Sequence, residues 1–438
     1  MQLAIGIILL ITFFAFIFYA MRGGNMLLGL FAMALIWSAL GAIGGAINWS
    51  TFNTGIIQGG PEGFGPTAVN ILFGSWFGRI LIQTGIARTI IRKAVELGGD
   101  KPSLTTVLLC IVVSIIFTTS YGAGAVVAIG VIVFPIMLSL GVNKTLATGS
   151  FVMAVSAGLY FNSALLSQAQ GTMLDSSGAK YTFQNPTWYT FAGIAMAISL
   201  VAVILLVIFN TRKAKVQAWE PPQVDTSSDQ KNVSLIACLA PLIPVALAIA
   251  FGFSAILAII CGVFWALLFT KSLTGWQKTG EIIEKTFLDG TTDVGLVLAF
   301  LLFMQMFAKA AGACKSLLTP IVEPILPHNY LLLFLIVGIL GFMALFRGPM
   351  TIWGAGTATF AILAGTGLYP LAVLFPLFYV ASTSVNTSVC PTQSWVSWAI
   401  GYNSVSIKDH LIKVLPYALP TCLILEMVAF GFFGKAAA

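Results

Sequence analysis

Four short polar strings interrupt an otherwise apolar chain, and they hold residue types suited to binding small ions. Two read as turns, Thr118-Thr119-Ser120-Tyr121-Gly122-Ala123-Gly124 and Arg347-Gly348-Pro349-Met350-Thr351; the other two are Asn162-Ser163 and Asn386-Thr387-Ser388. Gly and Pro release the backbone from helical geometry, while Asn, Ser and Thr supply short oxygen and nitrogen ligands. A helix that starts at such a turn aims its unpaired N–H groups and positive dipole end at a bound anion. Released carbonyls nearby suit a cation. The strings therefore predict one site for a substrate anion and a coupling ion, formed by Thr119, Ser120, Tyr121, Gly122, Asn162, Ser163, Arg347, Gly348, Asn386, Thr387 and Ser388. If the ion is sodium, its oxygen ligands are expected at Thr119, Ser120, Asn162, Asn386 and Thr387.

Arg347 carries the sharpest signal, because it lies between the apolar segments LLLFLIVGILGFMALF and TIWGAGTATFAIL. An unpaired arginine in lipid costs roughly 2.5 to 3.5 kcal/mol on insertion scales, so something must compensate it. Either its planar fork grips a substrate carboxylate, or it pairs structurally with a buried acid or helix-end carbonyls. Tyr121 either bonds the same ligand or anchors its own turn. The Asn, Ser and Thr breaks have interhelical hydrogen bonding as their alternative. Arg79 and Gln305 read as snorkelling span ends, Glu426 as a structural or interfacial acid, and Asp293 as a carboxylate at a helix N-terminus. His328 and His410 are expected in loops.

These residues need a scaffold that lipid can solvate. Of 438 residues 58% are hydrophobic and 8% charged, against about 25% charged in soluble domains, so polar side chains cannot cover a globule. Apolar runs at 2–20, 26–47, 66–84, 190–209, 233–251 and 254–270 are each long enough to cross a hydrocarbon core roughly 30 Å thick. Short alternating strands are lacking, which favours helices over a barrel. The net charge of +7 comes from loop cations, without a basic and aromatic face for nucleic acid. Six cysteines stand singly in apolar segments and read as packing residues. The first span lacks the charged lead and cleavage site of a signal peptide.

The polar stretch from Thr211 to Asn232 bisects the chain and reads as a linker between two similar parts. Landmarks repeat at a displacement of roughly 225 residues: Thr54-Gly55 with Thr279-Gly280, Gly65 with Gly290, and TGIARTII from Thr84 with AGACKSLL from Ala311. YGAG from Tyr121 pairs with RGPM from Arg347, Gly141 with Gly367, and YFNSALL from Tyr160 with SVNTSVC from Ser384. The expected organisation is 1–210 as the first repeat, 211–232 as a cytoplasmic linker and 233–438 as the second repeat. Each repeat holds about five transmembrane helices, a split apolar stretch (103–140 or 329–366) and a broken helix. If each split stretch is a re-entrant hairpin, most loop Lys and Arg fall on one face, which the positive-inside rule makes cytoplasmic. An odd number of crossings per repeat then inverts the second relative to the first, as in secondary transporters.

At these residues the sequence resembles the ion transporter superfamily, and within it the gluconate permease and citrate symporter families. The strings that carry the resemblance are GSWFGRILIQTG from Gly74, FTTSYGAGAVVAIGVIVFP from Phe117, AVSAGLYFNSALLSQ from Ala154 and NTSVCPTQSWVSWAIGYNSVSIKDHLIKV from Asn386. The resemblance implies a dimer of scaffold and transport domains in which two hairpin tips and two broken helices enclose a carboxylate and its coupling ion. The first hairpin lacks the acidic residue usual in gluconate permeases, and the Ser-Asn-Thr tripeptide of divalent anion sodium symporters is missing.

The chain is thus expected to be an all-α polytopic protein of a bacterial inner membrane, a homodimer in contact with lipid and a small organic anion (carboxylate or sugar acid). It needs no cofactor beyond sodium or protons. A cation/proton antiporter of the same architecture is the main alternative; it requires a titratable carboxylate, and the four breaks contain none. Channel, enzyme and ATP-driven readings fare worse, for want of a pore ring, a catalytic set and a GxxxxGK[ST] string.

Overall fold

The computed structural model describes residues 2–22, 24–174, 179–182, 185–211 and 233–435. The expected linker, apart from Thr211, lies outside them. The first run of helices is α1 (Gln2–Met21), α2 (Met26–Ile43), α3 (Gly59–Gln83), α4 (Ile86–Gly98), α5 (Pro102–Phe117), α6 (Ala123–Ser139), α7 (Lys144–Leu159), α8 (Ser163–Thr172) and α9 (Asn185–Thr211). A second run follows: α10 (Ile243–Phe251), α11 (Ala255–Phe269), α12 (Trp276–Ala313), α13 (Lys315–Val322), α14 (Tyr330–Ile339), α15 (Gly356–Thr366), α16 (Leu371–Ala381), α17 (Thr387–Val389), α18 (Ser394–Tyr402) and α19 (Ile407–Ala429). The protein is all-helical, with one isolated bridge between Leu174 and Lys180 among the described residues.

Seven described helices are long and apolar enough to cross a membrane, and α7 with α8, bent by 73° at their junction, would make an eighth if the pair is one broken span. The runs at 233–251 and 254–270 form shorter helices than a straight span needs. Pro241 and Pro244 confine the first to a 3-10 turn and a short α-helix, and Gly252 ends it in the left-handed region. The outer helices turn apolar side chains away from the protein, as α1 does with Leu3, Ile11, Phe14 and Phe18, and α11 with Leu257, Ile260 and Phe264. In water such a surface would aggregate; lipid accepts it.

The helices that carry the breaks lie innermost. From Leu146 to Leu159 every residue of α7 is buried, and so is the whole of α16 from Val373 onward. Small residues allow this density, because helix backbones meet in lipid through glycine and serine. Gly158 lies so close to the Ser114 carbonyl of α5 that a Cβ there would overlap it, and Ser114 in turn donates to the Ala154 carbonyl at 2.8 Å. Across the two runs, α3 and α12 pack along their length. Ser75 donates to the Gly290 carbonyl at 2.8 Å, and the Trp76 indole to Thr286 at 3.1 Å.

Candidate functional site

Each split stretch ends in a buried turn. Thr118, Thr119, Ser120, Tyr121 and Gly122 are all buried between α5 and α6, and Gly348 with Thr351–Ala355 is buried between α14 and α15. The first turn depends on Gly122, whose φ of 104° a side chain would resist. The second bends through Phe346 and Arg347, at φ 52° and 58°, consecutive non-glycine residues in a sparsely populated region that only firm surroundings sustain.

An asparagine ties each turn to the broken helix of its own run. Asn162 donates from Nδ2 to the carbonyls of Phe117 (3.0 Å) and Ser120 (2.9 Å), while its Oδ1 caps α8 by accepting from the Leu165 N–H. Asn386 makes the corresponding bond to the Ala344 carbonyl at 3.1 Å. The second break is a π-turn over Ser382–Asn386 between α16 and α17, a form of helix defect that recurs at functional sites. Ser382 accepts from the Ile352 N–H at 3.0 Å and joins this π-turn to the second buried turn.

The two breaks also meet each other. Tyr160 and Ser384, matched positions in the two repeated strings, share a hydrogen bond of 2.7 Å. Ser156 donates to the Thr383 carbonyl at 2.6 Å and lies 2.9 Å from the Thr387 hydroxyl, and the Tyr379 hydroxyl donates to Leu159 at 3.1 Å. Tyr121 donates to Gln168 of α8 and stacks edge-on against Trp395 at 6.4 Å, whose indole donates to the Thr387 carbonyl at 2.9 Å. A continuous polar seam therefore joins all four strings. Thr119, Ser120, Tyr121, Gly122, Asn162, Arg347, Gly348, Asn386, Thr387 and Ser388 lie along it, with Ser163 half-buried at the start of α8. Ser388 turns back on the Ser384 carbonyl, spending its hydroxyl within the break.

Several buried polar atoms on this seam lack a hydrogen-bond partner among the described residues: Ser120 Oγ, Gln168 Nε2, Trp353 Nε1, Thr383 Oγ1 and Asn386 Oδ1. Such atoms are rare, and both donors and acceptors are among them. Among the described residues no group of three or more His, Cys, Asp or Glu stands together.

Arg347 donates to the carbonyls of Trp353 (2.8 Å) and Thr392 (3.3 Å), and its guanidinium lies 5.5 Å from the Phe300 ring centroid. Turn carbonyls thus take two of its five donors. Among the described residues no carboxylate forms an ion pair with it.

The structure corrects several expectations. Arg79 does not snorkel: it forks onto Asp293, Nε to Oδ2 at 2.6 Å and Nη2 to Oδ1 at 2.5 Å, binding α3 to α12. Asp293 does not start a span but sits inside the long helix α12. Its carboxylate lies against Gly124 at the start of α6, where a Cβ would overlap it. The α6 N-terminus, expected to face a bound anion, thus already faces the protein's own: the four breaks contain no acid, but packing brings Asp293 of α12 beside the first of them. Gln305 is buried and donates to the Gly171 carbonyl at 2.6 Å. His410 is not in a loop; it is buried in α19, 3.2 Å from the Val389 carbonyl. Glu426 is fully buried, so it is not interfacial. Ser156, Gln168, Ser382, Thr383, Ser384 and Trp395 were not anticipated. The signal available for most of them was polarity within or beside a break.

No family model and no curated protein matches the chain. Among solved structures, the crystal structure of the Alcanivorax borkumensis YdaH transporter, described as having an unusual topology, superposes with a TM-score of 0.65. The match covers 94% of this chain and 98% of that one at 14% identity. The two share a fold. Agreement along nearly the full length of both chains at so low an identity means that the overall fold is common to them, while most of the side chains differ.

Proposed function

We propose that this protein is a secondary transporter of a small organic anion, a carboxylate or sugar acid, coupled to sodium or protons by alternating access. In this reading the two runs of helices are inverted repeats in a bacterial inner membrane, the buried turns are tips of re-entrant hairpins, and the working unit is a homodimer. The fold shared with a transporter supports the class. The buried depth of both turns supports re-entrance, since irregular backbone at membrane depth is tolerated where protein encloses it. The observation that carries the anion is the contrast between two arginines. Arg79 has its acid, whereas Arg347, on the polar seam, has carbonyls and an aromatic face but no carboxylate partner among the described residues.

A carboxylate held by the Arg347 fork in a partly dehydrated seam gains roughly 1.5 to 3 kcal/mol, about ten- to a hundred-fold in affinity. In proteoliposomes tested with a panel of carboxylates and sugar acids under sodium or proton gradients, Arg347→Gln should lose uptake. Arg347→Lys should insert and bind weakly, since a point charge lacks the fork. Wild-type anion affinity in purified Arg347→Gln protein would remove the main support for this reading. A cation/proton antiporter is the second reading, favoured by the buried carboxylate of Glu426; cation-driven proton flux without any anion from the panel would select it.

A further inference from the structure

Glu426 belongs to none of the four breaks, yet it is a fully buried carboxylate and therefore costly to leave ionised. It lies in the membrane-spanning helix α19 with no solvent exposure, and neither Oε1 nor Oε2 has a hydrogen-bond partner among the described residues. The Ala381 backbone lies within reach of the carboxylate. A carboxylate cannot persist as an anion in such a place without a counter-charge, and the inexpensive resolution is to carry a proton.

Its position gives that proton a consequence. Glu426 packs against Gly338 of α14, and Ala381 is the last residue of α16 before the π-turn. The ionisable groups within its electrostatic reach are Tyr160, at the end of α7, and Cys422 on its own helix. Tyr160 is the residue bonded to Ser384 across the two breaks. Tyr379 of α16 is committed to the Leu159 carbonyl, Tyr189 of α9 stacks on Phe161, and Arg347 is held by Trp353 and Thr392. The basic residues of α19, Lys408, His410 and Lys413, lie roughly 20 Å or more along the helix at 1.5 Å per residue, and Lys435, beyond the π-turn that follows α19, is exposed. No cation of the described protein is thus placed to neutralise this carboxylate, so its charge state follows proton occupancy.

We propose that Glu426 is a proton-exchanging site at the second break, and that protons are the coupling ion. This rests on the transport reading for the coupling but not for the proton site itself. Protonated, the carboxyl is neutral and tolerated between α14, α16 and α19. Deprotonated, it favours any rearrangement that brings water to the π-turn, so uptake and release of one proton would bias the second break between two arrangements.

The test separates the two ideas. In infrared difference spectra of reconstituted protein between acid and alkaline buffer, with no anion present, wild type should show the carbonyl band of a protonated carboxyl losing intensity as pH rises. Glu426→Gln should lack that band and Asp293→Asn should keep it. Dicyclohexylcarbodiimide, to which a protonated carboxyl in an apolar setting adds to leave an acylurea, should mark Glu426 of the unmutated protein in peptide mass maps, less so at alkaline pH. In vesicles, Glu426→Gln should retain exchange of whichever panel anion wild type moves and lose its accumulation against a pH gradient. A spectrum unchanged by Glu426→Gln, an adduct on other carboxyls but not on Glu426, or proton-driven accumulation surviving the substitution would each overturn the proposal. If wild type moves no panel anion while Glu426 titrates, the anion reading fails and the proton site stands.

Discussion

Breaking the pair between Arg79 and Asp293 should weaken the seam between the two runs of helices, by an amount the geometry bounds. Both bonds are short, 2.5 and 2.6 Å, and the side chains are 27% and 8% exposed. Two unit charges about 4 Å apart attract by roughly 4 kcal/mol at an effective dielectric near 20. Arg79 keeps some contact with its surroundings outside the protein, and Asp289 also acts on it, so a vacated partner is partly replaced. Halving the figure for this screening leaves a coupling of about 2 kcal/mol. Asp293→Leu and Arg79→Met should each destabilise by about 1.5 kcal/mol, because each strands the partner's charge. The double variant Arg79→Met with Asp293→Leu should return to within about 1 kcal/mol of wild type, since apolar replacements of a buried pair are often neutral. A double-mutant cycle on reversible unfolding in mild detergent measures this. Additive single effects, with no coupling, would refute the claim that the pair acts as one unit.

Gly124→Ala should cost about 1 to 3 kcal/mol by forcing a methyl onto the Asp293 carboxylate, and much of that loss should vanish in an Asp293→Ala background; the same unfolding assay reads both. Asn162→Ala should destabilise by about 3 kcal/mol, because it unpairs two carbonyls and the Leu165 N–H, against about 1 kcal/mol for Asn386→Ala, which unpairs one carbonyl. The reverse order in thermal melts would contradict the hydrogen-bond assignment. Asn386→Ala should in addition raise the cation concentration needed for half-maximal uptake, since its Oδ1 is free on the seam. Single cysteines at positions 101 and 143, at the outer ends of α5 and α6, should react with an impermeant maleimide from the same side of the membrane, and labelling from opposite sides would exclude a re-entrant first hairpin.

Much of the architecture was legible because it follows from local physics. Lipid permits few charges and demands internal backbone pairing, so the apolar runs announce helices, and Gly122, Gly348, Asn162 and Asn386 stand out as the points where the backbone leaves them. Their matched spacing in the two halves pointed to a shared site, and the hydrogen bonds from each asparagine to its neighbouring turn join the same residues. Partner choice was not legible. Whether Arg79 reaches lipid headgroups or Asp293 depends on α3 and α12 lying side by side, a contact between positions 214 residues apart. Glu426 likewise looks like any acid near a chain end until α14 and α16 close over it. Helix propensity and hydrophobic pattern act over a few residues, whereas the charge state of a carboxyl depends on every group that tertiary packing brings around it or keeps away.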